Sequence, residues 1–378
     1  MLGLLLIATG VGALVAYVNG ANDVSKGIAT LVGSGTTSYR GALAWGTFWT
    51  GLGALAGAWL AGAMLQTFGE GLFVPGTTPT FAAAIATMLG AGVWVLVATR
   101  TGLPVSTTHA IVGSLAGVAL VAYGPQAVNW ETLVQKIAVP LVASPLVALA
   151  TVSLLIRASV RTPAPDCACV AIEPMPSVAM TGEEASAALA SALPQVRFTV
   201  ARSAECAANV PQALSLRIEH LHWVTSSATS FARALNDAPK IVALMLGASA
   251  LAGGATQRRE MLFFVVALGM VTGSIVGGRR VTAVLAERVT PMNHREGLLA
   301  NATTAALVGA GAIFGLPMST THVASSAIIG IGVSRAGGQT NRRTVRDMLL
   351  AWLVTLPASA LLGIAVFELA LFAAGRAT

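Results

Sequence analysis

Long apolar stretches recur along most of this chain, and they limit what it can fold into more than any other feature. Each approaches or exceeds the roughly 20 residues that a helix needs to cross about 30 Å of hydrocarbon. Inside a bilayer every backbone N–H and C=O must be satisfied internally, so such segments cross as helices. We therefore predict an all-α polytopic membrane protein with roughly 10–12 membrane segments. The main stretches are Met1–Val18, Ala42–Leu65, Phe81–Thr99, Ile137–Ile156, Met261–Val276, Leu298–Phe314 and Met348–Phe372.

The chain is also poor in charge, which excludes an ordinary soluble domain. Only 10% of its 378 residues are charged, against roughly 25% in a typical globular protein. The basic surplus consists of 19 Arg and 3 Lys spread over loops and a central segment. This favours cytoplasmic loops over a nucleic-acid partner. The first apolar stretch has no basic start and runs directly into Asn19–Asp23, so we interpret it as a membrane segment rather than a signal peptide.

An internal duplication organises the chain. Gly102–His109 reappears as Gly315–His322 with seven of eight positions identical, at an offset of 213 residues. Asn22-Asp23, followed by Lys26, reappears as Asn236-Asp237, followed by Lys240, at an offset of 214. Ordered matches at nearly one offset indicate two homologous halves, residues 1–157 and 224–378.

A polar segment, residues 158–223, separates the halves and contains no apolar stretch long enough to span. We predict that it is a linker or a small cytoplasmic insert. It contains all three cysteines, Cys167, Cys169 and Cys206, together with His220 and His222. Their spacing matches no standard zinc pattern, so we expect no metal site there.

Loop charges favour two repeats of inverted topology. Residues 66–79 contain no Lys or Arg, whereas their counterpart Arg279–Arg295 has four Arg. Tyr123–Lys136 has one basic residue, and its counterpart Arg335–Arg346 has four Arg. If each half crosses five times, starting with a segment that ends at Asn-Asp, equivalent loops lie on opposite faces. The positive-inside rule then places both termini outside and the linker inside.

Ionisable residues within the apolar segments are few and duplicated. Insertion scales assign Asp or Lys roughly 2.5–3.5 kcal/mol at the bilayer centre, so such residues normally mark a pathway or site. Asp23 and Lys26 are three apart, as are Asp237 and Lys240, which places each pair on one helix face. Ion pairs that only fix helix packing are the alternative; the duplication beside Asn favours an ion path. Arg233 has no match in the first half; it could be a side chain that snorkels to the interface.

The repeated Gly-Leu-Pro-x-Ser-Thr-Thr-His element is typical of a helix that begins inside the membrane. Gly ends the preceding helix, Pro suits the first turn, and Ser or Thr caps the new helix. The exposed N–H groups and positive dipole end of such a break suit an oxyanion. Two breaks related by an inverted two-fold axis would converge near the midplane. His109 and His322 close the motifs, with a hydrogen-bonding role favoured over proton movement.

These motifs resemble those of the PiT family of inorganic phosphate transporters, in which Gly-Ala-Asn-Asp-Val-type and Pro-x-Ser-Thr-Thr-His motifs are duplicated. The copies here are Gly20–Val24, Leu235–Ala238, Pro104–His109 and Pro317–His322. The resemblance covers both halves but not the linker. It implies a carrier rather than an enzyme, with no cofactor, that moves inorganic phosphate by symport with Na⁺ or H⁺. It also implies a homodimer in the plasma (inner) membrane.

A hypothesis for the site follows from this resemblance. Hydroxyls and amides bind the phosphate, Asp and Asn hold a monovalent cation or the phosphate proton, and no other metal is expected. The phosphate-binding set is Ser106, Thr107, Thr108, Ser319, Thr320, Thr321, Asn22 and Asn236; the cation set is Asp23, Asp237, Asn22 and Asn236; the supporting set is Lys26, Lys240, His109 and His322. The family pattern continues Ala-Asn-Ala after Asn-Asp-Val, whereas this chain has Ser25-Lys26-Gly27, which leaves the coupling ion open.

Three alternatives remain at this point. A sulfate carrier on the same scaffold is disfavoured because sulfate has no proton to offer a buried carboxylate. A passive anion channel would need no paired Asp. An intramembrane aspartyl protease also uses two Asp, but its Gly-x-Gly-Asp context is absent and it leaves the Ser-Thr-Thr elements unexplained.

Overall fold

The computed structural model describes residues 1–69, 72–160, 167–173, 195–201, 214–253, 258–335 and 338–375. The described residues of the first half contain six main helices. They are α1 (Leu2–Gly33), α2 (Tyr39–Leu60), α3 (Gly62–Gly69), α4 (Phe81–Thr101), α5 (Thr107–Tyr123) and α6 (Val139–Val160). Short helical turns, Pro125–Ala127, Trp130–Thr132 and Leu133–Ala138, precede α6.

The second half repeats this order of long and short helices. Its elements are α7 (Ile218–Leu251), α8 (Arg259–Gly277), α9 (Arg279–Ala283), α10 (His294–Phe314), α11 (Thr320–Ser334) and α12 (Arg342–Ala373). A turn of π-helix, Val284–Arg288, continues α9. The short α3 and α9 hold equivalent places, as do α5 and α11, each of which follows a Gly-Leu-Pro segment.

The predicted all-α polytopic membrane fold is confirmed. Among the described residues, six helices are long and apolar enough to cross a membrane, and α2 with α3 forms a further candidate bent by 78°. The predicted stretch Ala42–Leu65 is therefore broken at Ala61.

The first membrane segment was predicted to end at Asn22-Asp23, and this was wrong. α1 continues from Leu2 to Gly33, with the Asn-Asp pair inside it. Because the polar side chains on this face bond to one another and to neighbouring helices, the buried charges do not interrupt the helix.

Glycine lets two pairs of helices cross at backbone contact. α1 packs on α8, where a Cβ added to Gly20 would lie 2.0 Å from the carbonyl oxygen of Met270. A Cβ on Gly273 would lie 1.9 Å from the carbonyl oxygen of Tyr17. α2 meets α7 in the same way at Gly53. Small residues at such crossings are the usual basis of helix association in membranes.

The segment between the halves contains a small antiparallel sheet. Strands β1 (Cys167–Glu173), β2 (Gln195–Ala201) and β3 (Leu214–Arg217) lie in the order β2-β1-β3. α7 begins at Ile218, so the last part of the predicted linker, with His220 and His222, is helical. Cys206 lies outside the described residues, and within them no group of His, Cys, Asp or Glu could hold a metal ion.

Candidate substrate and ion site

Each Gly-Leu-Pro-x-Ser-Thr-Thr-His element breaks a helix at a glycine and starts the next at a serine. Gly102 ends α4 in the left-handed region (φ 79°), and Ser106 Oγ accepts a bond from the His109 N–H at 3.2 Å. Gly315 does the same after α10 (φ 69°), with Ser319 capping α11. The predicted break is present. The prolines were misplaced, since Pro104 and Pro317 precede the caps rather than sitting in the first helical turn.

The Asn-Asp elements lie in the middle of α1 and α7. Asn19, Asn22, Asp23 and Lys26 recur at spacings of three and four, so they share one face of α1. None is more than 1% exposed. The face of α7 that carries Arg233, Asn236, Asp237 and Lys240 is equally buried, at 2% or less. The site is therefore fully enclosed by the protein.

One amide brings the two carboxylates together. Asn19 Nδ2 lies 2.9 Å from Asp23 Oδ2 and 3.2 Å from Asp237 Oδ2, and also 3.1 Å from Thr107 Oγ1. Thr107 Oγ1 is 3.4 Å from Asp23 Oδ2. The acids of both halves and the start of α5 thus meet at a single point.

The two asparagines of the Asn-Asp pairs hold the segments before the broken-helix starts. Asn22 Nδ2 donates to Thr99 Oγ1 at 3.0 Å and to the Leu103 carbonyl at 3.2 Å. Asn236 Nδ2 donates to the Met318 carbonyl at 3.0 Å, and its Oδ1 accepts from the Met318 N–H at 3.3 Å. Each long helix is thereby tied to the broken helix of its own half.

Hydroxyls of the Ser-Thr-Thr motifs also link one half to the other. Lys240 Nζ, on α7, donates to Thr108 Oγ1 at 2.6 Å. Thr321 Oγ1, on α11, donates to the Val105 carbonyl at 2.7 Å. All six hydroxyl side chains predicted for the site are 4% exposed or less. The structure therefore brings both duplicated motifs into one buried centre.

The rings of the two motif histidines are in contact, with their planes tilted by 44°. The ring centroids of His109 and His322 are 4.3 Å apart, and His322 lies 4.0 Å from the Trp352 ring. Within the described residues, His109 Nδ1 and His322 Nε2 are buried without a hydrogen-bond partner. Trp352 in turn donates to the Pro104 carbonyl at 3.0 Å. The rings pack between the two broken helices, so ring contacts rather than hydrogen bonding through these nitrogens position them.

Arg233 is not a snorkelling side chain, because it lies inside the protein. Its side chain is 1% exposed, with Nη1 3.3 Å from Asn19 Oδ1 and Nη2 2.6 Å from Thr50 Oγ1. Arg233 is the equivalent of Asn19 at the offset of 214, and the two side chains face each other across the halves. Sequence reasoning missed Asn19 and Thr50; the polar spacing 19, 22, 23, 26 identifies Asn19, whereas nothing local identifies Thr50.

Comparison with known proteins assigns this chain to a family. The model of the phosphate transporter family matches residues 19–363. The chain belongs to the phosphate transporter family. The members of this family are transporters, so the chain is classed as a transporter rather than an enzyme.

Named relatives extend over nearly the whole chain. A Pyrococcus furiosus protein that is named a phosphate permease is 26% identical, with 97% of this chain and 96% of that protein covered. The chloroplastic inorganic phosphate transporter 2-1 of Arabidopsis thaliana is 28% identical, with 93% and 70% covered. A solved structure, "The sodium-dependent phosphate transporter", has a TM-score of 0.77 at 22% identity and covers 98% of this chain and 99% of its own. That likeness supports the fold.

A basic pocket lies beside the first broken helix of this transporter-family chain. Arg100, Arg279, Arg280 and Arg288 line it together with Gly102, and Arg280 donates to the Arg100 carbonyl at the end of α4. Among the described residues none of these arginines has a carboxylate partner. Clustered positive charge of this kind raises the local concentration of an anion.

Proposed function

We propose that this chain is a secondary active transporter that imports inorganic phosphate by symport with a monovalent cation, Na⁺ or H⁺, through alternating access. The observation that carries the proposal is the meeting of both Asn-Asp elements and both Ser-Thr-Thr elements at one enclosed polar centre. Its hydroxyls and amides suit an oxyanion, and its carboxylates suit a cation. The relatives named as phosphate transporters support the choice of anion, and the sodium-dependent neighbour supports a coupling cation.

The proposed division of labour assigns hydroxyls and amides to the anion and carboxylates to the cation. When phosphate binds, Thr321, Asn22 and Asn236 exchange their bonds to backbone carbonyls for bonds to the anion. Thr107 and Thr108 with Thr320 and Thr321 donate hydroxyls to phosphate, and Ser106 and Ser319 add theirs while accepting the cap bonds, since a hydroxyl both donates and accepts. The amides of Asn22 and Asn236 complete the phosphate site. Asp23 and Asp237 hold the cation or accept the proton that phosphate carries.

Coupling to a cation has a physical reason. Moving one negative charge into a negative interior costs roughly 2.3 kcal/mol per 100 mV. A cation that enters with the anion offsets this cost. In this proposal the halves are inverted repeats that rock against each other, the termini lie outside, and the insert lies in the cytoplasm. The Arg-lined pocket then opens on the inner side, where it attracts the anion. We further propose a homodimer, as the family resemblance implies.

Uptake of labelled phosphate into proteoliposomes tests the proposal. We expect accumulation against a gradient when Na⁺ or H⁺ is supplied as a gradient, with little inhibition by excess sulfate. Sulfate inhibition would instead indicate a sulfate carrier. Asp23→Asn separates a coupled carrier from a channel: a carrier loses cation dependence or activity, whereas a channel continues to conduct.

A further inference from the structure

The side-chain nitrogens of two lysines lie in small cages of oxygen atoms at the centre of the site. Lys26 Nζ is 2.6 Å from Asp23 Oδ1, 2.6 Å from Asn22 Oδ1 and 2.8 Å from the Asn22 carbonyl. Lys240 Nζ is 3.0 Å from Asp237 Oδ1, 2.6 Å from Thr108 Oγ1 and 3.4 Å from the Met318 carbonyl. Both side chains are 1% exposed.

The number of acceptors matches the charged form of each lysine. An ammonium has three N–H donors, whereas a neutral amine has two. Lys26 has three oxygen acceptors within 2.8 Å, and Lys240 has three within 3.4 Å. Each arrangement therefore accommodates an ammonium that donates all three of its N–H groups to oxygen atoms.

These oxygen atoms are of the kinds that a hard cation takes as ligands. Carboxylate, amide, backbone carbonyl and hydroxyl oxygens are the usual protein ligands of such ions. The lysines use the oxygens of Asp23, Asn22 and Asp237 that the sequence assigned to the coupling cation. A sodium ion at the same oxygens would stand beside an ammonium of like charge, and the two would compete for the same ligands.

The net charge of the centre is consistent with lysine ammonium groups in place of sodium ions. Two buried carboxylates, Asp23 and Asp237, face three buried cations, Lys26, Lys240 and Arg233. The group therefore has a net charge of one positive unit with no added ion. This matches a single dihydrogenphosphate, whereas added sodium ions would leave the centre with excess positive charge in a low-dielectric interior.

We propose that the ammonium groups of Lys26 and Lys240 are built-in cations that take the place of coupling sodium ions, so that this chain carries phosphate without Na⁺. The inference rests on the proposed function and narrows it, because the proton then remains as the coupling cation. A proton needs no cage of oxygen ligands, since a single carboxylate, Asp23 or Asp237, can hold it beside the dihydrogenphosphate.

The test compares the wild type with Lys26→Asn, Lys240→Asn and the double variant in proteoliposomes. Asn at position 26 restores the residue of the family pattern. It also leaves the oxygen atoms that Lys26 contacts available to a sodium ion. Wild-type uptake is expected to change less than twofold when Na⁺ is replaced by choline, and to rise when the outside is made acidic. In choline, the phosphate uptake of the double variant is expected to be at least tenfold lower than that of the wild type. Its uptake is expected to recover as Na⁺ is added.

Two controls keep the test decisive. Lys136→Asn removes the third lysine, which is exposed, and should behave as the wild type. Thermal unfolding of the purified wild type in NaCl or choline chloride reports Na⁺ binding independently of transport, and we expect equal midpoints. This measurement and the wild-type uptake decide the question even if the lysine variants do not fold.

The outcomes are distinguishable. Wild-type uptake that requires a Na⁺ gradient would overturn the inference and leave the proposed cation symport in place. Sodium-independent uptake that does not respond to a pH gradient would show that the proton is not the coupling cation. No accumulation under any gradient would overturn the proposed function itself.

Discussion

Arg233 and Asn19 face each other at equivalent positions of the two halves, and this difference sets the charge of the buried centre. Arg233 Nη1 lies 3.3 Å from Asn19 Oδ1, and the Asn19 amide bridges both carboxylates. An unpaired charge in an interior is costly. Since Lys26 and Lys240 already pair with the two acids, we infer that the buried arginine supplies the positive surplus for the anion.

Arg233→Gln should therefore weaken phosphate binding. Removing one of three buried cations leaves the centre neutral, and we expect KM for phosphate to rise about tenfold, or roughly 1.4 kcal/mol. Initial rates of uptake over a range of phosphate concentrations measure this. Arg233→Lys keeps the charge and should recover part of the affinity, and the exposed Arg258→Gln is the matched control. An unchanged KM in Arg233→Gln would show that the charge does not act on the anion.

At the scale of elements, close helix crossings and glycine breaks position the site. α1 approaches α8 at backbone distance at Gly20 and Gly273, and this crossing fixes the position of its Asn-Asp face. α4 and α5 present the hydroxyls of Thr107 and Thr108 because Gly102 adopts φ 79°. Both the helix crossing and the helix break require glycine, which has no Cβ.

Gly20→Ala should destabilise the bundle. The added methyl would lie 2.0 Å from the Met270 carbonyl oxygen, and overpacking of this kind costs roughly 1–3 kcal/mol. A lower midpoint of thermal unfolding in detergent is expected. Gly10→Ala, on the same helix, has no atom within 4 Å of the new methyl and serves as the control. Equal midpoints for the two variants would contradict the close crossing.

Gly102→Ala should disturb transport more than stability. The left-handed conformation at φ 79° costs a residue with a Cβ roughly 1–2 kcal/mol, and relief of this strain would move Ser106 and the start of α5. We expect a several-fold lower maximal rate of phosphate uptake with protein still recovered from the membrane. A rate equal to that of the wild type would mean that the position of the break is not needed for transport.

At the scale of the whole molecule, the two halves follow the same order of elements and exchange contacts. α1 packs on α8 as α7 packs on α2, and α5 packs on α12 as α11 packs on α6. Such reciprocal packing is expected of two repeats related by a pseudo-two-fold axis. The direction of that axis decides whether the repeats are inverted.

Single cysteines in equivalent loops test the inversion. Thr78 and Pro291 are exposed residues of corresponding loops. In a background with the three native cysteines replaced, an impermeant maleimide applied to intact cells should label Thr78→Cys and leave Pro291→Cys unlabelled until the membrane is opened. Labelling of both from the same side would mean that the repeats are parallel.

The sequence by itself determined the membrane class, the duplication and most of the side chains that the structure brings together at the buried centre. An apolar stretch long enough to cross the bilayer must be helical, because its backbone groups find no hydrogen-bond partner in lipid. A repeated motif can be recognised from the sequence alone. The serine caps and glycine breaks were also predictable, since local backbone geometry selects those residues. Only the tertiary structure decided how these parts meet. Thr50 enters the site through contact with Arg233, and Asn22-Asp23 sits within a continuous helix rather than at its end. Which oxygens a lysine reaches depends on contacts between distant segments, such as that of Lys240 with Thr108, and no local pattern encodes them.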